Sequence, residues 1–153
     1  CIDEIWQEFP SFTQYEVRSA LAKCGLTTKH LESQVRVLSG GEQAKVRLCK
    51  LINRDTNILL MDEPTNNLDM CHADNMVKIV RRLCDELGKT VVLVLHEINY
   101  AAFYSDYICA FVDGRIAKFG TVEEVMTKEN LSEIYQVDFE IQMVKGRPLA
   151  IYY

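Results

Sequence analysis

The chain lacks internal repeats, low-complexity stretches and linkers, so its 153 residues are expected to form one domain or a piece of one. Long apolar runs are also missing. The longest, TVVLVL at 90 to 95, is far too short to cross a bilayer, and no charged-then-apolar signal segment opens the chain. Positive charge is not in excess, since 17 Lys and Arg face 22 Asp and Glu for a net charge of −5. No global field therefore attracts a nucleic-acid backbone, although a local basic face stays compatible with the composition. The six cysteines, Cys1, Cys24, Cys49, Cys71, Cys84 and Cys109, form no CxxC pair and mostly lie among apolar neighbours. They read as buried, reduced thiols of a cytosolic protein rather than disulfides or metal ligands. The first residue is Cys1 rather than Met, so a preceding segment is expected.

What is present is the composition of an ordinary globular domain, 48% hydrophobic and 25% charged. In TQYEVRSALAKCGL, Thr13 and Glu16 form a capping-box pair, Val17, Ala20, Leu21 and Cys24 follow helical spacing, and Gly25 supplies a stop. A second capping box, Ser39 with Glu42, opens a helix whose apolar stripe is Leu48, Cys49, Leu51 and Ile52. NILLMDE and KTVVLVLHE then read as strands buried on both faces in a parallel sheet, with a helix over residues 72 to 87 between them. Strand, helix, strand is a βαβ unit, with an expected right-handed crossover. A short helix near 98 to 104 follows. YICAFVDGRIAKFG is a hairpin on Asp113-Gly114, TVEEVMTKENLSEIYQ holds two helical pieces, and the tail is a second hairpin around Gly146 and Pro148.

Three places carry candidate chemistry. Asp62 and Glu63 stand at the C-terminal end of a strand, the edge where open α/β sheets bind ligands. Adjacent strand residues point opposite ways, so one carboxylate could hold Mg²⁺ beside a nucleotide while the other orients or deprotonates water. The alternative is a strand running into a solvated turn. His96 ends the next strand, where an imidazole could contact a γ-phosphate or serve simply as a polar terminus. Ser39, Gly40 and Gly41 open a helix with free N–H groups and no bulky side chains, which suits an anion, or else form a plain capping box. GKT at 88 to 90 is a decoy. The phosphate-loop pattern GxxxxGK[ST] needs glycine at 83, which is Leu83, and this GKT leaves a helix for a strand instead of the reverse.

Taken in order, LSGGEQ, ILLMDEPTNNLD and VLVLHE resemble the signature motif, the Walker B segment with its D-loop, and the switch histidine of ABC-type ATPase domains. The resemblance covers essentially the whole chain. It implies an α/β fold, a partial P-loop NTPase-like domain with parallel strands, a helical-subdomain remnant and C-terminal antiparallel hairpins. Residues 1–57 would be the helical subdomain with the signature helix, and 58–153 the later part of the ATPase core with a C-terminal extension. It further implies that Ser39, Gly40, Gly41, Glu42 and Gln43 form the signature, that Asp62 is the Mg²⁺-associated acid and Glu63 the catalytic base, and that Asp69 is the D-loop acid and His96 the switch residue. ATP and Mg²⁺ would be the cofactors. In the family, LSGGEQ faces a nucleotide held by a second, head-to-tail ATPase domain.

The two parts of the chain resemble different subfamilies. Residues 11 to 60 resemble the ABC-F ATPases, which act on ribosomes, and residues 66–153 resemble ATPase subunits of iron-siderophore importers. At Asn67 the ABC-F pattern usually has His, and at Thr65 the importer pattern usually has Leu. A join of two subfamilies near residues 60 to 70 is one expectation. The functional expectations are an importer ATPase working with membrane permease subunits, peripheral at the inner face of the cell membrane; a ribosome-associated translation factor; or an engineered or recombined hybrid half-domain without activity. Residues 1 to 37 hold neither a Walker A loop nor a Q-loop. Little ATP affinity or turnover is therefore expected of the isolated chain, and homodimerisation or an altered sheet order is an expected way to cover its apolar edges.

Overall fold

The computed structural model describes residues 1–66 and 68–152, so the Asn67 comparison lies outside the described residues. The chain divides into two compact units, one from Cys1 to Val94 and one from Leu95 onward.

The first unit begins with α1 (Ile2–Glu8), a helix that no sequence signal announces, because its N-cap Cys1 supplies no side-chain cap. Tertiary contacts hold it instead. Ile5 is fully buried, Trp6 Nε1 donates to the Phe12 carbonyl at 2.8 Å, and Glu4 and Glu8 meet Lys50 and Arg54. Next come α2 (Gln14–Lys23) and α3 (Thr28–Glu32), then a 3₁₀ turn over Val35–Val37. The expected Thr13–Glu16 capping box is present in full, and Gly25, at φ 77°, turns the chain after α2. The helix expected from the Ser39–Glu42 capping box is α4 (Gly40–Ile52), with Val46, Leu48, Cys49 and Ile52 buried.

Strands β1 (Ile58–Asp62) and β2 (Thr90–Val94) pair in parallel, with Ile58 opposite Thr90 and Asp62 opposite Val94. Between them runs α5 (Met70–Leu87), starting two residues earlier than the spacing suggested because Asp69 caps it. The expected burial of the strands on both faces is corrected. Leu59 and Met61 join the core cluster with α4 and α5 residues, whereas Ile58 and Leu60 on the other face are about two-thirds exposed. Leu21, Ile52 and Leu83 are almost fully buried in the same cluster. Each is worth about 1.5–3 kcal/mol of hydrophobic stabilisation.

The second unit holds α6 (Ile98–Tyr104), the hairpin β3 (Tyr107–Val112) and β4 (Arg115–Thr121), then α7 (Val122–Val125) and α8 (Lys128–Tyr135), and a second hairpin, β5 (Phe139–Val144) with β6 (Arg147–Tyr152). Both turns use two residues at positive φ, Asp113-Gly114 and Lys145-Gly146, the pattern of a type I′ turn that matches strand twist. Pro148 lies within β6 opposite Met143 rather than in the turn. Ala102, Val122 and Leu131 form the buried centre of this unit. The six thiols are free, but the expectation of general burial is corrected: Cys1, Cys24 and Cys49 are buried, while Cys71 and Cys109 are exposed.

Candidate functional site

The start of α4 is built by reciprocal capping. Ser39 has extended backbone, its Oγ accepts from the Glu42 N–H at 3.4 Å, and Glu42 Oε2 accepts from the Ser39 N–H at 2.8 Å. The intrahelical ladder starts at the Gln43 N–H, which reaches the Ser39 carbonyl at 2.9 Å. Gln43 Nε2 donates to the Leu38 carbonyl at 2.9 Å, so this side chain closes the first turn against the preceding strand-like residue. Gly40 and Gly41 are left with the N–H groups that a helix start cannot satisfy within itself. Glu42 also limits the site. Its carboxyl is held below the usual range, first by the Ser39 N–H and further by His30 and Lys45, and this resident negative charge offsets part of the helix dipole.

His30 extends the cap. Its Nδ1 accepts from the Thr27 N–H at 3.3 Å, which leaves Nε2 to donate toward Glu42 Oε1, 3.1 Å away. The two glycines sit in different surroundings. Gly40 is exposed, and a Cβ added there would meet nothing within 4 Å. Gly41 is buried against the ring of His72, whose Cγ would lie 2.9 Å from such a Cβ.

Asp69 is the N-cap of α5. Its Oδ1 accepts from the His72 N–H at 2.9 Å and its Oδ2 lies 2.7 Å from His72 Nδ1. These bonds from His72, the backbone one first, hold the Asp69 carboxyl below its ordinary range. Asp69 and Gly41 are thus brought together through one imidazole, and Gly40 is not. Neither His72 nor His30 is among the residues that the sequence motifs single out. The signal that could have found them is their place three residues after Asp69 and Thr27, the spacing at which a side chain reaches back to a helix start.

Asp62 ends β1 on its exposed face, in line with Ile58 and Leu60. Glu63 follows at φ 45°, a left-handed conformation unusual for a residue with a Cβ, and its N–H donates to the Val94 carbonyl at 3.2 Å. Glu63 Oε2 accepts from Asn66 Nδ2 at 2.8 Å and the Glu63 carbonyl accepts from the Asn66 N–H at 3.0 Å, so the acid is fixed at the lip of the sheet by a turn. Backbone held in such a region is a recurrent mark of functional sites. Asp62 ends the strand as expected, but Glu63 lies outside it in the turn, so the expectation of two adjacent strand residues pointing opposite ways is corrected. His96 lies beyond β2, whose last residue is Val94, and belongs to the second unit, where it is exposed and precedes α6.

No group of three or more His, Cys, Asp or Glu side chains forms a metal cluster among the described residues. Mg²⁺ does not need one, because it commonly takes one or two carboxylates, with waters and substrate phosphates filling its octahedron. A single exposed strand-end carboxylate such as Asp62 fits that donor set. Among the described residues no helix is long and apolar enough to cross a membrane.

Residues 6–66 match the family model described as ABC transporter. The chain is 60% identical over 106 residues to the uncharacterized ABC transporter ATP-binding protein YfmM of Bacillus subtilis, covering 69% of this chain and 19% of that protein. It is 43% identical over 116 residues to the petrobactin import ATP-binding protein YclP of the same organism, covering 76% of this chain and 46% of YclP. Among solved structures, it superposes on a metal-chelate type ABC transporter in an inward-facing conformation with a TM-score of 0.80 at 20% identity, covering 99% of this chain and 66% of that one. A dimeric bacterial ABC transporter cassette matches with a TM-score of 0.59 at 28% identity over 72% of this chain and 49% of the cassette. The chain thus spans less than half the length of YfmM and YclP. With the ordered motifs, the family match and the fold in agreement, the chain is part of an ABC transporter ATPase domain.

Proposed function

We propose that this chain is part of the ATP-binding subunit of an ABC importer for iron chelates. The carrying observation is the 43% identity to a petrobactin import ATPase over 76% of the chain, joined to a strand that ends at Asp62 with Glu63 held in the turn after it. In this reading residues 1–57 are the helical subdomain and 58–153 the later part of the core. Asp62 holds Mg²⁺, which supplies charge neutralisation at the phosphates of ATP when bound. Glu63, fixed by Asn66, orients the attacking water, and His96 stabilises charge at the γ-phosphate. Ser39, Gly40, Gly41, Glu42 and Gln43, with Asp69, face the nucleotide of a second ATPase domain arranged head to tail, as the dimeric form of the matched cassette supports. Membrane permease subunits are the remaining partners. The ribosome-associated reading, and a join of two subfamilies near residues 60 to 70, draw no support from these relatives.

The test is a hybrid in which this chain replaces the matching stretch of YclP. We expect it to hydrolyse Mg-ATP and to support growth of a YclP-deficient strain on ferric petrobactin, and Glu63→Gln to abolish both. A hybrid that folds and associates with the permease yet hydrolyses no ATP would overturn the proposal.

A further inference from the structure

The two signature glycines differ in what surrounds them, and the difference leads to a residue outside the motif. Gly41 is buried, and a Cβ built on it would lie 2.9 Å from His72 Cγ, 3.2 Å from Nε2 and closer still to Cδ2, distances that a Cβ does not tolerate against a ring. The ring cannot easily swing aside, because Nδ1 is held 2.7 Å from Asp69 Oδ2 while the backbone N–H of the same residue is bound to Asp69 Oδ1. Two anchors on one carboxylate fix both the start of α5 and the plane of the imidazole. Gly40 has none of this, for its Cα faces open space. Neither glycine is among the residues with positive φ, so conformational freedom is not what requires glycine at either position.

We infer that His72 is a positioning residue that clamps the Asp69 loop to the start of the signature helix, with the side-chain position of Gly41 taken by the His72 ring. The inference deepens the proposed reading of the signature and rests on it for its functional meaning. A side chain at Gly41 would push on His72, His72 would pull on Asp69, and the two elements expected to face the partner's nucleotide would lose their mutual register. His72 would then act through Asp69 and Gly41 without touching the nucleotide.

The experiment uses the full chain and compares Gly40→Ala, Gly41→Ala, His72→Ala and the double variant Gly41→Ala/His72→Ala. Urea unfolding gives the midpoints, and NMR titration gives the Asp69 carboxyl pKa. Alanine is the better helix former, so without a clash both glycine replacements raise the midpoint. We expect Gly40→Ala to hold or raise it, Gly41→Ala to lower it or to prevent folding, and the double variant to recover the midpoint of His72→Ala or better. In His72→Ala the Asp69 carboxyl pKa rises toward its ordinary value, a change that a generic packing loss would not produce. His72→Asn, whose amide can still donate to Asp69, is expected to restore part of the Asp69 shift while relieving the clash with Gly41→Ala. A Gly41→Ala midpoint equal to that of Gly40→Ala, a double variant no better than Gly41→Ala, or an Asp69 pKa unmoved by His72→Ala would each overturn the clamp. Failure of the importer reading would appear instead in the YclP hybrid and would leave these midpoints unchanged.

Discussion

Glu63 offers the sharpest test of the sheet-edge geometry, because its backbone and its carboxylate can be separated. The residue sits at φ 45°, where a Cβ crowds the following carbonyl at a cost of about 1–2 kcal/mol. Glu63→Ala and Glu63→Gly remove the same carboxylate and the same bond from Asn66, so they differ only in whether a Cβ occupies that conformation. In regular secondary structure glycine would be the worse of the two by roughly 0.5–1 kcal/mol. At this φ the sign should reverse. Subtracting glycine's extra chain entropy from the relieved crowding leaves the Gly variant more stable by about 0.5–1 kcal/mol. Urea unfolding followed by circular dichroism reads this directly. With a slope of roughly 1–3 kcal/mol per molar, the Gly midpoint lies above the Ala midpoint by about 0.2–1 M. A Gly midpoint at or below that of Ala would show that Glu63 carries no left-handed strain and would remove the argument that the fold holds this acid in an unusual conformation.

Three further outcomes follow from the same structure. Ser39→Ala should lower stability by about 1 kcal/mol or somewhat less, because the cap bond it removes is long at 3.4 Å, and a calorimetric melt would reveal the loss. Leu59→Ala should cost roughly 2–5 kcal/mol, as deletions in a packed core do, whereas Leu60→Ala on the exposed face should stay within about 0.5 kcal/mol, and equal losses in chemical denaturation would contradict the one-sided burial of β1. The Asp69 carboxyl, held low chiefly by His72, has a folded-state pKa below its unfolded value of about 3.9. Its stabilisation is therefore complete above that value and is lost as pH falls through the folded pKa, so the stability gap between the natural chain and Asp69→Asn should close in acid and persist at neutral pH.

Much of the fold was legible because its signals are local. The Thr13–Glu16 and Ser39–Glu42 boxes, the Asp113-Gly114 turn and the 98 to 104 helix involve residues within four positions of each other, and the structure has each of them. Helix α1 was not legible, because its support comes from Lys50 and Arg54, 46 residues away in the case of the Glu4–Lys50 pair. The strand sequences predict burial on both faces because an unbroken apolar run has that meaning in a parallel sheet. In the structure Leu59 and Met61 meet α4 and α5, while Ile58 and Leu60 point to the side that no described element of their own unit covers to the same degree. An apolar run records the environment in which a strand is stable, and one layer of helices satisfies only half of it.

The candidate site divides along the same line. Asp62, Glu63 and the Ser39 helix start could be placed from sequence because a strand end and a helix start are themselves local features. Their supports are side chains of two kinds: Asn66 and His72 lie three residues after Glu63 and Asp69, within reach of a local reading, whereas the His30–Glu42 and His72–Gly41 contacts are set by tertiary structure. The GG pair shows why motif reading stops there. Both glycines belong to one motif and begin one helix, yet one faces open space and the other an imidazole at a distance that excludes any side chain. Two physical reasons for glycine, room for something to approach and room already taken, leave the same letter in the sequence. The difference lies in His72, 31 positions further along the chain, and its consequence is that substitution at Gly41 should disturb His72 and the Asp69 cap while substitution at Gly40 should not.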